Sequence, residues 1–187
     1  PYLGIVGWQI GIWAQQGANF FAGNIAISGC SSIGIEANFS SIASIPGTVI
    51  NGCPVGLYQT YCTSSFATGM IVVGCTNGVQ IQFASSLDGN ISIYESTGTG
   101  LYVGSESTAA ISSASTVISY CGTGVYLIAG CSISVALCAI TNCTVGVSSN
   151  YMSFALGCGS ATFTGTVTPY SPTPLGTIGN NGSYSFS

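Results

Sequence analysis

Apolar and polar residues alternate along this chain in short bursts, and no stretch sustains a helical period. A Gly followed by an aliphatic residue marks each burst: Gly11-Ile12, Gly34-Ile35, Gly56-Leu57, Gly78-Val79, Gly100-Leu101, Gly124-Val125 and Gly146-Val147. Successive glycines are 23, 22, 22, 22, 24 and 22 residues apart. Self-similarity at a fixed period of this size is the signature of a solenoid.

Each unit follows one grammar. The Gly opens a short alternating strand, as in Gly100-Leu101-Tyr102-Val103. A second apolar patch comes about halfway, as in Ser65-Phe66-Ala67 or Ser132-Ile133-Ser134-Val135. A third strand closes the unit, as in Thr48-Val49-Ile50-Asn51, Met70-Ile71-Val72-Val73 or Cys138-Ala139-Ile140-Thr141. β-Branched runs bounded by Gly, Ser and Asn read as strands and turns.

Three short strands per ~22 residues predict an all-β fold, a right-handed parallel β-helix (solenoid) of about seven coils. Each strand would pair with its equivalent ~4.8 Å above and below, giving a rod roughly 30 to 35 Å long. Residues 1–168 are assigned to the coil and 169–187 to a C-terminal tail or capping segment. Pro46, Pro54, Pro172 and Pro174 are placed outside the core strands, where no ladder hydrogen bond is lost.

Strand alternation then sorts the columns. The residue after each repeat Gly is always aliphatic and is expected to point inward. The next position holds Trp13, Glu36, Tyr58, Gln80, Tyr102, Tyr126 and Ser148, which would face outward. Trp13, Tyr58, Gln80, Tyr102 and Tyr126 therefore form an outward stripe, a candidate subunit interface or glycan-stacking face.

Cys53, Cys75, Cys121 and Cys143 each precede a repeat Gly by three residues, and Cys30 by four. These five predict an internal ladder of thiols at one corner, with Thr97 in the remaining slot. Buried free thiols packing as small hydrophobes is the simplest reading; disulfides between adjacent coils remain the alternative. Zinc would need paired ligands, and the chain has no His. Cys62, Cys131, Cys138 and Cys158 lie off the ladder, with Cys138 and Cys158 in possible reach of one another.

Composition sharpens this picture. Lys, Arg and His are absent, and only Glu36, Asp88, Glu95 and Glu106 carry charged side chains, for a net charge of −4. Nucleic acid is excluded as a partner, because phosphate neutralisation needs basic residues. No apolar run approaches the ~20 residues of a membrane span. The four acids fall in different columns, so no glycosidase pair of carboxylates about 5 to 9.5 Å apart is expected. A nucleophilic Ser or Cys would lack a His or Lys base. No catalytic residue, metal site or cofactor is predicted.

The coil grammar resembles the pectate-lyase-like β-helix superfamily, and within it the β-helical parts of phage tail fibres and tailspikes and related bacterial surface proteins. The closing phrases Tyr170-Ser171-Pro172 and Thr177-Ile178-Gly179-Asn180-Asn181-Gly182-Ser183-Tyr184 add to this resemblance. It implies an elongated, often trimeric appendage, extracellular or on a virion. It transfers no catalytic residues, because the basic and clustered acidic groups of the superfamily's lyases and hydrolases have no counterpart here.

The expectation is thus a non-catalytic structural or adhesive rod, a homo-oligomer (trimer or filament) or a partner of other appendage subunits. The alternative is a polysaccharide-degrading or glycan-binding β-helix protein; the degrading form would need basic residues that this sequence lacks. An ice-binding solenoid would need a regular Thr-x-Thr array, and Thr97-Gly98-Thr99 and Thr162-Phe163-Thr164 stand isolated.

Overall fold

The computed structural model describes residues 3–61, 63–156, 161–172 and 177–178. Among them are 24 strands and no helix. Every third strand belongs to the same sheet, so the chain winds through three eight-stranded parallel sheets in turn. The first sheet begins with Leu3–Val6, the second with Ile10–Ala14 and the third with Asn19–Phe21. The result is the all-β parallel solenoid of about seven turns that the repeat predicts.

Inward columns from the three sheets meet in one apolar core. The first sheet contributes Ile27, Ile50, Val72, Ile93, Ile118 and Ile140, and the second Ile35, Leu57, Val79, Leu101, Val125 and Val147, all buried. Each such side chain stabilises the stack by roughly 1.5–3 kcal/mol on burial. The third sheet's inward column mixes sizes, with Ala43, Ser65, Ala109 and Ala155 beside Leu87 and Ile133. Here the phase differs from simple apolarity: Ser65 points in, and Phe66 stands half exposed outside. Pairing decides this, because Ser65 is locked between Ala43 and Leu87 in the ladder, and a one-residue slip would reverse every side chain.

The repeat glycines have a steric cause. A Cβ on Gly34, Gly56, Gly78, Gly100 or Gly124 would lie 2.5–2.7 Å from the carbonyl oxygen of the next repeat Gly. It would also press on an inward Ile or Val of the first sheet, as Val72 Cγ1 stands 2.6 Å from the position above Gly56. Close approach of backbone and core, rather than an unusual φ, therefore demands Gly.

Corners are made differently. After the second sheet the chain turns through Gln16, Phe39, Tyr61, Phe83, Ser105, Ala129 and Tyr151, with φ between 49° and 63°. Left-handed backbone costs an ordinary residue about 1–2 kcal/mol. Inter-coil hydrogen bonds hold it there, such as Ser40 N to Tyr61 O at 2.9 Å and Glu106 N to Ala129 O at 3.0 Å.

The strand pairing runs past residue 168. Thr168–Pro172 extends the second sheet beside Val145–Ser149, and Thr177–Ile178 extends the third. Residues 169–172 and 177–178, expected in a tail, are thus part of the coil. Pro172 ends the last strand of the second sheet, at an edge where its missing N–H is tolerated. Pro174 lies outside the described residues. Among the described residues no helix is long and apolar enough to cross a membrane.

Candidate functional site

The outward stripe of the second sheet is one continuous ladder. Trp13 pairs with Glu36, Glu36 with Tyr58, Tyr58 with Gln80, Gln80 with Tyr102, Tyr102 with Tyr126 and Tyr126 with Ser148. Trp13 is exposed, and the others are half-buried. Tyr102 shows why: a Cβ on Gly104 would sit 2.9 Å from its ring, so the missing side chain leaves room for the ring to lie flat. Tyr102 and Tyr126 meet with centroids 5.6 Å apart and planes tilted by 39°. Asn150 Nδ2 donates to the Tyr126 hydroxyl at 2.9 Å and holds it in place. Burial, then the neighbouring Tyr126, pushes the Tyr102 hydroxyl above its ordinary pKa.

A second aromatic column went unread in the sequence. At the corner after the second sheet, Phe39 stacks on Tyr61 with centroids 4.8 Å apart and an interplanar angle of 2°. Tyr61 stacks on Phe83 at the same spacing and 7°. The signal was present: aromatics stand five residues after Gly34, Gly56, Gly78 and Gly146. A position beyond the strand has no alternation rule to place it, so periodicity alone did not mark it as a column. Beside Phe83 this corner opens into a groove of about 580 Å³ lined by Tyr61, Phe83, Ala84, Ser105, Glu106 and Ala129.

The cysteine ladder lies inside. Cys30, Cys53, Cys75, Cys121 and Cys143 are all buried free thiols, as are Cys131 and Cys138. The interrupted slot belongs to Ser96, not Thr97: Ser96 is buried and Thr97 is exposed. Ser96 follows Tyr94 by two residues as Cys121 follows Ser119, and Tyr94 pairs with Ser119. The extra residue falls between that slot and Gly100, as it does between Cys30 and Gly34. Burial first, then repulsion from the Cys53 sulfur, pushes Cys30 up to about 11. Burial likewise raises Cys75, Cys131 and Cys138. Cys121 is raised by its hydrogen bond to Cys143 and by burial, while that bond pulls Cys143 the other way. With no cation in the chain and both sulfurs in the apolar stack, the pair as a whole resists ionisation. Cys62 and Cys158, and with them any approach of Cys138 to Cys158, lie outside the described residues.

The aromatic corner between the second and third sheets also carries a buried hydroxyl ladder that the sequence reading missed. Thr63 N donates to Ser85 Oγ at 3.2 Å, and Ser85 N to Ser107 Oγ at 3.1 Å. Cys131 continues the column and donates to Ser153 Oγ at 3.4 Å. These side chains satisfy backbone groups that the turn leaves unpaired, so their role is to hold the corner.

The acids stay apart. Glu36 lies on the second sheet and Asp88 on the third; Glu95 and Glu106 occupy two different corners. Among the described residues no group of three Cys, Asp or Glu converges to hold a metal ion. The third sheet carries a shallow groove of about 420 Å³ whose lining includes Phe66, Ser86, Asp88, Thr108 and Ser134. No family model, curated protein or solved structure matches the chain.

Proposed function

We propose that this chain is a non-catalytic structural or adhesive rod that packs through the tyrosine-bearing face of its second sheet. Its setting would be an extracellular filament or a phage tail fibre or spike, as the resemblance to pectate-lyase-like and tailspike β-helices implies. The observation that carries this reading is the unbroken outward ladder from Trp13 to Ser148, with Tyr102 and Tyr126 in ring contact. Aromatic area laid flat on a regular sheet suits a partner surface of the same pitch, since Tyr anchors contribute strongly at interfaces. A chain with so few charges also fits a surface largely covered in an assembly.

Replacing Tyr102 and Tyr126 together by Ser tests the reading in sedimentation velocity. Assemblies of the parent chain should give way to monomer while the far-ultraviolet spectrum stays unchanged. A second reading, glycan binding by sugar rings stacked on the same stripe, is favoured by the aromatic side chains of Trp13, Tyr58, Tyr102 and Tyr126 sharing one outward column. Intact assembly with lost adhesion to immobilised polysaccharide would favour that reading. Unchanged assembly and adhesion would defeat the packing face.

A further inference from the structure

The aromatic corner column is interrupted. Phe39, Tyr61 and Phe83 cover one another's faces at 4.8 Å spacing, which leaves bare the face of Phe83 turned toward the next coil. There the ring positions are taken by Ser105 and Ala129, in the same left-handed conformation, and the column resumes at Tyr151. Three coil spacings, about 14 Å, separate Phe83 from Tyr151 along the stack. The two missing rings leave the 580 Å³ groove, and Glu106 forms part of its wall.

Charge selects the occupant. Glu106 shares the groove wall with Phe83, an aromatic ring whose face attracts cations, in a chain with no Lys, Arg or His to neutralise its carboxylate. An anionic ligand would be repelled. An apolar ring would cover Phe83 but strip water from the carboxylate without pairing it. A guanidinium meets both demands, because it is planar, stacks on an aromatic face and presents a fork of N–H donors to a carboxylate. We propose that this groove binds an arginine side chain presented by a partner chain of different sequence. A second copy of this chain has no arginine to offer, so the contact is heterotypic and separate from the packing face of the second sheet.

The test titrates the full chain with the capped peptide acetyl-Gly-Arg-Gly-amide and its Lys and Ala counterparts, following the ring signals of Tyr61 and Phe83 by NMR. The Arg peptide should shift these signals and bind several-fold more tightly than the Lys peptide, with the Ala peptide inert. Glu106→Gln should weaken binding about tenfold. Ser105→Phe should weaken it severalfold by covering the bare face of Phe83 and filling one of the two vacant ring positions: its φ of 52° matches the 55° of Phe83, so the ring fits without refolding. The Tyr102→Ser, Tyr126→Ser double variant should bind the Arg peptide as the parent does, which separates this site from the packing face. No shift with the Arg peptide, an equal shift with the Ala peptide, or undiminished binding in both Ser105→Phe and Glu106→Gln would overturn the proposal. So would a neutral methyl glycoside that shifts the same signals more strongly than the Arg peptide.

Discussion

A Cβ on Gly56 would lie 2.5 Å from the carbonyl oxygen of Gly78, one coil away. The same relation links Gly78 to Gly100, with Ile93 Cγ2 2.6 Å off on the core side. Gly78→Ala must therefore push two coils apart or displace Ile93. A loss of about 3 kcal/mol is expected, read as a lower urea midpoint. Gly4, with nothing within 4 Å of its Cβ position, is the control, and Gly4→Ala should leave the midpoint in place. Equal midpoints for Gly78→Ala and the parent would refute the steric account of the repeat.

Ser96 interrupts the thiol ladder with a buried hydroxyl that meets no oxygen or nitrogen partner and has only the weakly accepting Cys121 sulfur beside it. Its Oγ stands 3.1 Å from the Cβ position of Gly78, as the Cys121 sulfur does from that of Gly100. A thiol therefore fits this slot. Ser96→Cys should stabilise the coil by about 1 kcal/mol, through loss of a poorly satisfied buried hydroxyl and gain of a small apolar group. Thermal unfolding under reducing conditions measures it, and a drop in midpoint would count against the ladder as a packing device.

The buried thiols set a pH limit. Burial holds Cys30 (about 11), Cys75, Cys131 and Cys138 above the ordinary Cys range, whereas unfolded thiols ionise near 8.5. Above that pH the unfolded chain loses protons that the folded chain retains, so folding weakens. Stability should be flat from about pH 6 to 8 and fall as pH rises toward about 11. The half-buried Tyr102 hydroxyl, also shifted upward, acts in the same direction. Urea midpoints at a series of pH values, with reductant present, would show it. A midpoint that holds through about pH 10.5 would contradict thiol burial.

Leu137 is a surface residue held at φ 65° with its side chain exposed. Leu137→Gly removes the steric cost of a left-handed residue, about 1–2 kcal/mol, against an unfolded-state entropy cost of roughly 0.5–1 kcal/mol. A net gain of up to about 1.5 kcal/mol is expected from these two terms. A clear loss in calorimetry would mean that Leu137 contributes packing beyond what its exposure indicates.

The outward stripe was legible because strand alternation converts a position in the repeat directly into a face. Trp13, Tyr58, Tyr102 and Tyr126 needed only the repeat Gly as a ruler. The ladder slot after Cys75 was misplaced by one residue, because counting back from Gly100 assumes a constant corner length. Hydrogen bonding between coils absorbs the extra residue after Ser96 instead. The Phe39–Tyr61–Phe83 stack and the groove beside Glu106 were missed for a related reason: they sit on left-handed corner residues, where neither helical nor strand periodicity predicts a direction.

From the sequence alone came the coil, its period, its inward columns and the outward stripe. In a stacked parallel solenoid every local repeat becomes a spatial column, so these features need no knowledge of distant contacts. Tertiary structure decided how each corner turns, that Ser65 faces in and Phe66 out, and that Thr168–Pro172 and Thr177–Ile178 pair onto the stack. Those outcomes depend on which backbone groups one coil offers the next, and that exists only once the coils are stacked.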